Sequence, residues 1–94
     1  MKANMTPLLA TTTLSALFQT LGVPPRLEIL LAIGLNEACV CLLEAALGYR
    51  QAFISQHLMA LREANLLESR HEGRFVYYKL ADRRILDLLV RVGE

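Results

Sequence analysis

The chain is 94 residues long with a formal net charge of +1, so it is one domain at most, and so short a chain buries only a modest fraction of its surface. It is 54% apolar but only 6% aromatic, an excess of aliphatic residues that a small monomeric core does not need, which points to a homodimer. A membrane partner is excluded because the most apolar run, residues 27–47, is broken by Glu28, Asn36, Glu37 and Glu44, and Lys2 is followed by Thr-rich sequence rather than a leader, so a cytoplasmic protein is expected.

Residues 1–5 carry no pattern and are expected to be disordered, leaving a single domain over 6–94. From Thr6 to Leu21 an apolar stripe of Leu14, Leu17, Phe18 and Leu21 predicts a first helix, ended by Gly22. Pro24 and Pro25 set a turn and the first helical position of a second, short helix that carries Leu27, Leu30, Leu31 and Ile33 to Gly34. Apolar nearly all round, it belongs in the core. Asn36 is placed to cap a third helix with Glu37 in its first turn, and that helix contains both Cys39 and Cys41 before Gly48. Val40, Leu43 and Leu47 set its period, which Ile54, Leu58 and Leu61 restart in a fourth helix running from about Arg50 to Ala64. Two helices joined by a tight turn are a helix-turn-helix.

Opposite Ile54, Leu58 and Leu61 the fourth helix carries Gln51, Ser55, Gln56 and Arg62, side chains able to hydrogen-bond base edges and phosphates of double-stranded DNA. Ala52 and His57 on the same helix complete the candidate contact set, with His57 suited to packing or to a phosphate. Beyond Asn65 the period becomes alternating. Leu67–His71 and Arg74–Leu80 read as strands around Glu72-Gly73, a hairpin whose Arg70 and Arg74, with Arg50 nearby, suit phosphates as a wing would. Asp82 then caps a last helix whose apolar residues, Ile85 to Val92, make a face wider than one partner covers. The architecture is mainly α with a small β-hairpin, a dimeric winged helix-turn-helix. Its second half, residues 48–94, holds eight basic and six acidic residues, a small positive bias consistent with moderate, salt-sensitive binding.

Two cysteines one residue apart are not a disulfide framework; in a reducing compartment they point to metal binding or redox chemistry, against the plainer reading of two small buried hydrophobes. No cofactor is expected to be permanently bound. Two thiolates suit a thiophilic effector such as As(III), Cd(II) or Zn(II), with Glu44, Glu37 or an outside thiol completing the shell, or else oxidation or persulfidation. In a helix residues i and i+2 point about 200° apart, so either chemistry requires the start of the third helix to unwind, and that conflict would be the switch. An enzyme is not expected, since no convergent acid-base set surrounds the thiols. An interaction module that does not bind DNA is the remaining rival.

Four segments, PPRLEIL, EACVCLL, SQHLMALREANLL and EGRFVYYKL, stand in the order in which the ArsR/SmtB family of winged-helix metalloregulatory repressors carries similar ones, so the chain resembles that family from about Leu17 to Leu89. The resemblance implies a dimer joined by its first and last helices, bound to an operator and released when an effector acts on Cys39 and Cys41, which stand in the family's sensing position. It also gives Arg26 the role of organising the turn after the first helix. The arsenic-sensing archetype has a third Cys where this chain has Glu44, and the last helix lacks the histidines of zinc and nickel sensors.

Overall fold

The computed structural model describes the backbone of residues 6–94 and the side chains of residues 12–94; the disorder expected at residues 1–5 lies outside this range. The order is α1 (Thr6–Leu21), α2 (Pro24–Ile33), β1 (Ala38–Cys39), α3 (Val40–Leu47), α4 (Gln51–Glu63), β2 (Leu67–Glu72), β3 (Phe75–Leu80) and α5 (Arg83–Gly93). Among the described residues, five helices accompany a small antiparallel sheet in the order β1-β3-β2.

Local chemistry explains most boundaries. Pro24 and Pro25 open α2, where the missing N–H would have had no helical partner anyway. Gly48 ends α3 in the left-handed region, at φ 78°, and donates its N–H to the Glu44 carbonyl at 2.8 Å, a conformation that side chains with a Cβ disfavour. Asp82 caps α5 by accepting the Arg84 N–H at 2.9 Å.

The core sits where α2, α3 and α4 meet the base of the wing: Ile29, Leu30, Ile33, Leu43, Ile54, Leu58 and Leu61 are fully buried. Leu66 and Leu67 close it below α4. Contrary to expectation, α2 is one-sided, for Leu31 remains 51% exposed. No single helix among the described residues is long and apolar enough to cross a membrane; α1 and α2 would be so only together, and they bend by 88° at their junction.

The third helix is the main departure from the sequence reading. It begins at Val40, not near Asn36, and Cys39 is its N-cap residue in extended conformation. Ala38 and Cys39 instead form β1, paired with Tyr78 and Tyr77 of β3. Glu37 is therefore outside the helix. The hairpin turn also shifts by one residue, with Gly73 at φ 62° and the second strand starting at Phe75 rather than Arg74.

Candidate nucleic-acid interface and thiol pair

Helix α4 presents Gln51, Ala52, Gln56, Met59 and Arg62 on its exposed side, with Ser55 half-buried beside them and Arg50 exposed at its N-cap. Gln51 and Ser55 are one turn apart, so they address the same patch of space. Arg62 Nη1 donates to Ser69 Oγ at 3.3 Å, linking the end of α4 to the wing. Among the described residues the side chains of Arg50 and Arg74 make no hydrogen bond or ion pair, although the Arg50 carbonyl accepts the Ile54 N–H at 3.0 Å.

His57 lies on the other side of the helix. It is 8% exposed, its Nδ1 accepts from Arg26 Nε at 3.3 Å, and Phe53 meets it edge-on with ring centroids 4.6 Å apart. Burial, helped by the Arg26 charge, holds its pKa below the ordinary value, so the ring is the neutral acceptor this contact needs. Arg26 also donates through Nη1 to the Thr20 carbonyl at 3.2 Å, and so joins the end of α1 to α2 and α4. The geometry thus assigns His57 to packing and not to the exposed face.

The two wing arginines differ. Arg70 places Nε and Nη2 on the Glu37 carboxylate at 2.8–3.0 Å and Nη1 on Glu72 at 2.6 Å, and its guanidinium stands 4.8 Å from the Tyr77 ring centroid. The hydrogen bond to Arg70 holds the Glu37 carboxyl below its usual range, and the bonds to Glu37 and Glu72 push the Arg70 guanidinium above its own. Arg74, at the hairpin turn, is exposed and unpaired among the described residues.

Cys39 and Cys41 do not share a helix. Because Cys39 is extended (φ −87°, ψ 169°), the opposed directions expected for i and i+2 do not apply. Their Cα atoms are 5.4 Å apart, within the span a disulfide bridges, and their Sγ atoms are joined. The expectation that the helix must unwind before the two sulfurs can meet is therefore corrected. The pair sits on the wall of a cavity of about 440 Å³ that Glu44, Gln51, Ser55 and Arg74 also line. Among the described residues no group of three or more His, Cys, Asp and Glu side chains could hold a metal ion. Two sulfurs fall short of the three or four protein ligands a self-contained zinc site uses.

Sequence reasoning missed two features here, the strand β1 and the Glu37–Arg70 clamp. Neither leaves a local signal: the strand is two residues long and the clamp joins residues 33 apart.

Comparison with known proteins agrees with this geometry. Residues 24–69 match the profile of bacterial regulatory proteins of the arsR family. The chain is 38% identical over 77 residues to a transcriptional repressor SmtB homolog of Synechocystis sp., covering 82% of this chain and 58% of that protein. It is 46% identical over 66 residues to the arsenical resistance operon repressor of Escherichia coli, covering 69% and 56%. The chain thus spans under three fifths of the length of these two curated relatives. An uncharacterized HTH-type transcriptional regulator of Methanocaldococcus jannaschii is 34% identical over 79 residues, 83% of this chain and 89% of that one. Among solved structures, reduced HlyU from Vibrio cholerae superposes with a TM-score of 0.86 at 28% identity, over 95% of this chain and 97% of that one. A homodimeric winged helix-turn-helix DNA-binding domain from Mycobacterium bovis does so with a TM-score of 0.82 at 25% identity, over 99% and 86%.

Proposed function

We propose, for a chain that belongs to the ArsR family of bacterial regulatory proteins, a cytoplasmic DNA-binding transcriptional repressor whose hold on its operator is set by the chemical state of Cys39 and Cys41. The family consists of regulators rather than enzymes. In this reading Gln51, Ala52, Ser55 and Gln56 meet base edges in the major groove while Arg50, Arg62 and Arg74 hold phosphates. Two copies join through α1 and α5, where Phe18 is 56% and Val92 76% exposed although both border an apolar groove between those helices. A dimer presents two reading helices to half-sites about one helical turn apart.

The observation that carries the regulatory part is the placement of the joined Cys39–Cys41 pair on the wall shared by Gln51, Ser55 and Arg74. Reduced, the pair is two thiols; oxidation removes two electrons and two protons and forms the Sγ–Sγ bond. Hydrogen peroxide, accepting the two electrons and two protons, breaks its O–O bond and leaves as two waters. The similarity to the Escherichia coli arsenical resistance operon repressor supports a second reading, in which a thiophilic effector such as As(III), Cd(II) or Zn(II) takes both sulfurs. Glu44 stands where the archetype has its third thiol, so a further ligand would come from outside the chain.

Operator titration by fluorescence anisotropy separates these. Wild type reduced with dithiothreitol binds, and the effector weakens binding by about tenfold or more, equivalent to about 1.4 kcal/mol. The Cys39→Ser, Cys41→Ser double variant binds like the reduced protein and ignores peroxide, a persulfide donor, arsenite and cadmium. A double variant still released by whichever agent releases wild type takes the cysteines out of the mechanism.

A further inference from the structure

We propose that Arg70 is a positioning residue rather than a DNA ligand: clamped on Glu37, it ties the strand that bears Cys39 to the wing, so that the state of the thiol pair reaches Arg74. This rests on the thiol-controlled reading above and names the path by which that control reaches DNA.

The argument starts from the register of the sheet. Cys39 of β1 lies opposite Tyr77 of β3, and Tyr77 lies opposite Arg70 of β2, so the three residues form one rung. The Arg70 guanidinium covers the Tyr77 ring and returns across the sheet to Glu37, two residues before Cys39. Its remaining nitrogen holds Glu72, whose strand partner is Phe75, next to Arg74 at the turn. A closed circuit thus runs from the sulfur-bearing strand through Arg70 to the wing tip. A two-residue strand has little pairing of its own, so the bidentate clamp supplies the orientation that the short ladder does not.

The same contacts argue against a phosphate role. Nε, Nη1 and Nη2 of Arg70 are all engaged on carboxylates, and a phosphate would have to displace two negative groups to reach them. Arg74 carries no such partner among the described residues. The clamp is solvent-facing, with Arg70 48% and Glu37 31% exposed, and exposed ion pairs add little to stability. Cutting it should therefore leave the fold in place and change where the wing sits.

The test compares Glu37→Gln, Arg70→Gln, Arg70→Lys and Glu37→Gln/Arg70→Gln with wild type, each titrated with operator in dithiothreitol and after peroxide, across a salt series. Positioning predicts that every variant shrinks the oxidised-to-reduced Kd ratio from about tenfold to within about twofold, and that the double variant is no worse than either single one. Arg70→Lys fails like Arg70→Gln, because an ammonium cannot span the carboxylate. A phosphate contact predicts opposite signs: Arg70→Gln weakens both states and lowers the salt slope by about one, Arg70→Lys is mild, and Glu37→Gln tightens binding. That pattern, or an unchanged ratio in Glu37→Gln, overturns the proposal. If the ratio in wild type is already one, the redox form of the thiol-controlled reading fails and this inference falls with it; if wild type responds and the variants respond equally, only the inference fails. Circular dichroism melting of each variant, expected near the wild-type curve, keeps misfolding from imitating a lost response.

Discussion

The recognition helix and the wing border the same cavity but are held there differently. Helix α4 leaves no part of Ile54, Leu58 or Leu61 in contact with water, whereas no side chain of β3 is buried and Phe75 is 47% exposed. Complete burial of one aliphatic side chain is worth about 1.5–3 kcal/mol, so three of them on one helix face fix α4 against the core. At its base the wing packs Leu67, Tyr78 and Leu80 against the core, and beyond that it is held by its backbone ladder, the Glu37–Arg70–Glu72 clamp and the longer Lys79–Glu68 pair at 3.9 Å. Such ion pairs are screened by salt and can be rearranged at small cost. In the proposed function, reading falls to the stiff element and adjustment to the soft one. Both cysteines line that cavity, Cys39 in β1 and Cys41 in α3.

The strongest way to break this comparison is to empty the core under α4. Leu58→Ala should cost about 2–5 kcal/mol in urea unfolding and take operator binding with it, because the site cannot collapse without moving the reading face. A variant that lost less than about 1 kcal/mol would mean that α4 is not fixed by its buried face. A smaller effect separates reading from holding. Gln51→Ala should cost about 1–3 kcal/mol on the preferred operator and flatten discrimination among operator mutants, whereas Arg74→Ala should weaken all sequences alike and reduce the salt slope by about 0.9. If both variants lose affinity in the same sequence-independent way, α4 is not the reader.

The smallest effect sharpens the stiff side. The His57 pKa is lowered in the folded chain, so between that value and the ordinary 6.5 the unfolded chain binds more protons, and stability rises with pH across this window. It is complete above about pH 6.5 and falls as pH drops toward the folded value. Protonation would set an imidazolium against Arg26, which now donates to Nδ1. Urea unfolding followed from pH 7 down to about pH 5 should show this decline in wild type and a flatter profile in His57→Asn. Equal profiles would remove His57 from the titration. Glu37 and Asp82, both lowered by their arginine partners, lose their contributions in a separate range below their ordinary values of 4.5 and 3.8.

Helical periodicity and turn chemistry made most of the fold legible in the sequence. Ile54, Leu58 and Leu61 repeat at the spacing that puts them on one side of a helix, and that spacing alone identified both the buried face and the polar one opposite. Pro24, Pro25, Gly48 and Asp82 act on their own neighbours, so the element boundaries they mark could be read without knowing the rest of the chain. Residues with no such local rule could not be placed in the same way. Cys39 belongs to a helical pattern in sequence, and only the presence of Tyr77 across from it makes it a strand residue. His57, open in the sequence to packing or to a phosphate, is turned toward Arg26, 31 residues earlier.

What the sequence determined by itself was thus whatever rests on contacts a few residues apart: the helices, the hairpin, the polar face of α4 and the presence of two cysteines near it. Tertiary structure decided whatever depends on partners distant along the chain. It converted Ala38 and Cys39 into β1, turned His57 inward, and gave Glu37 to Arg70, leaving Arg74 as the unpaired cation of the wing turn. The physical reason is that backbone pairing and ion pairs are satisfied by any suitable group the fold brings within reach, and the identity of that group is not written in the residues on either side.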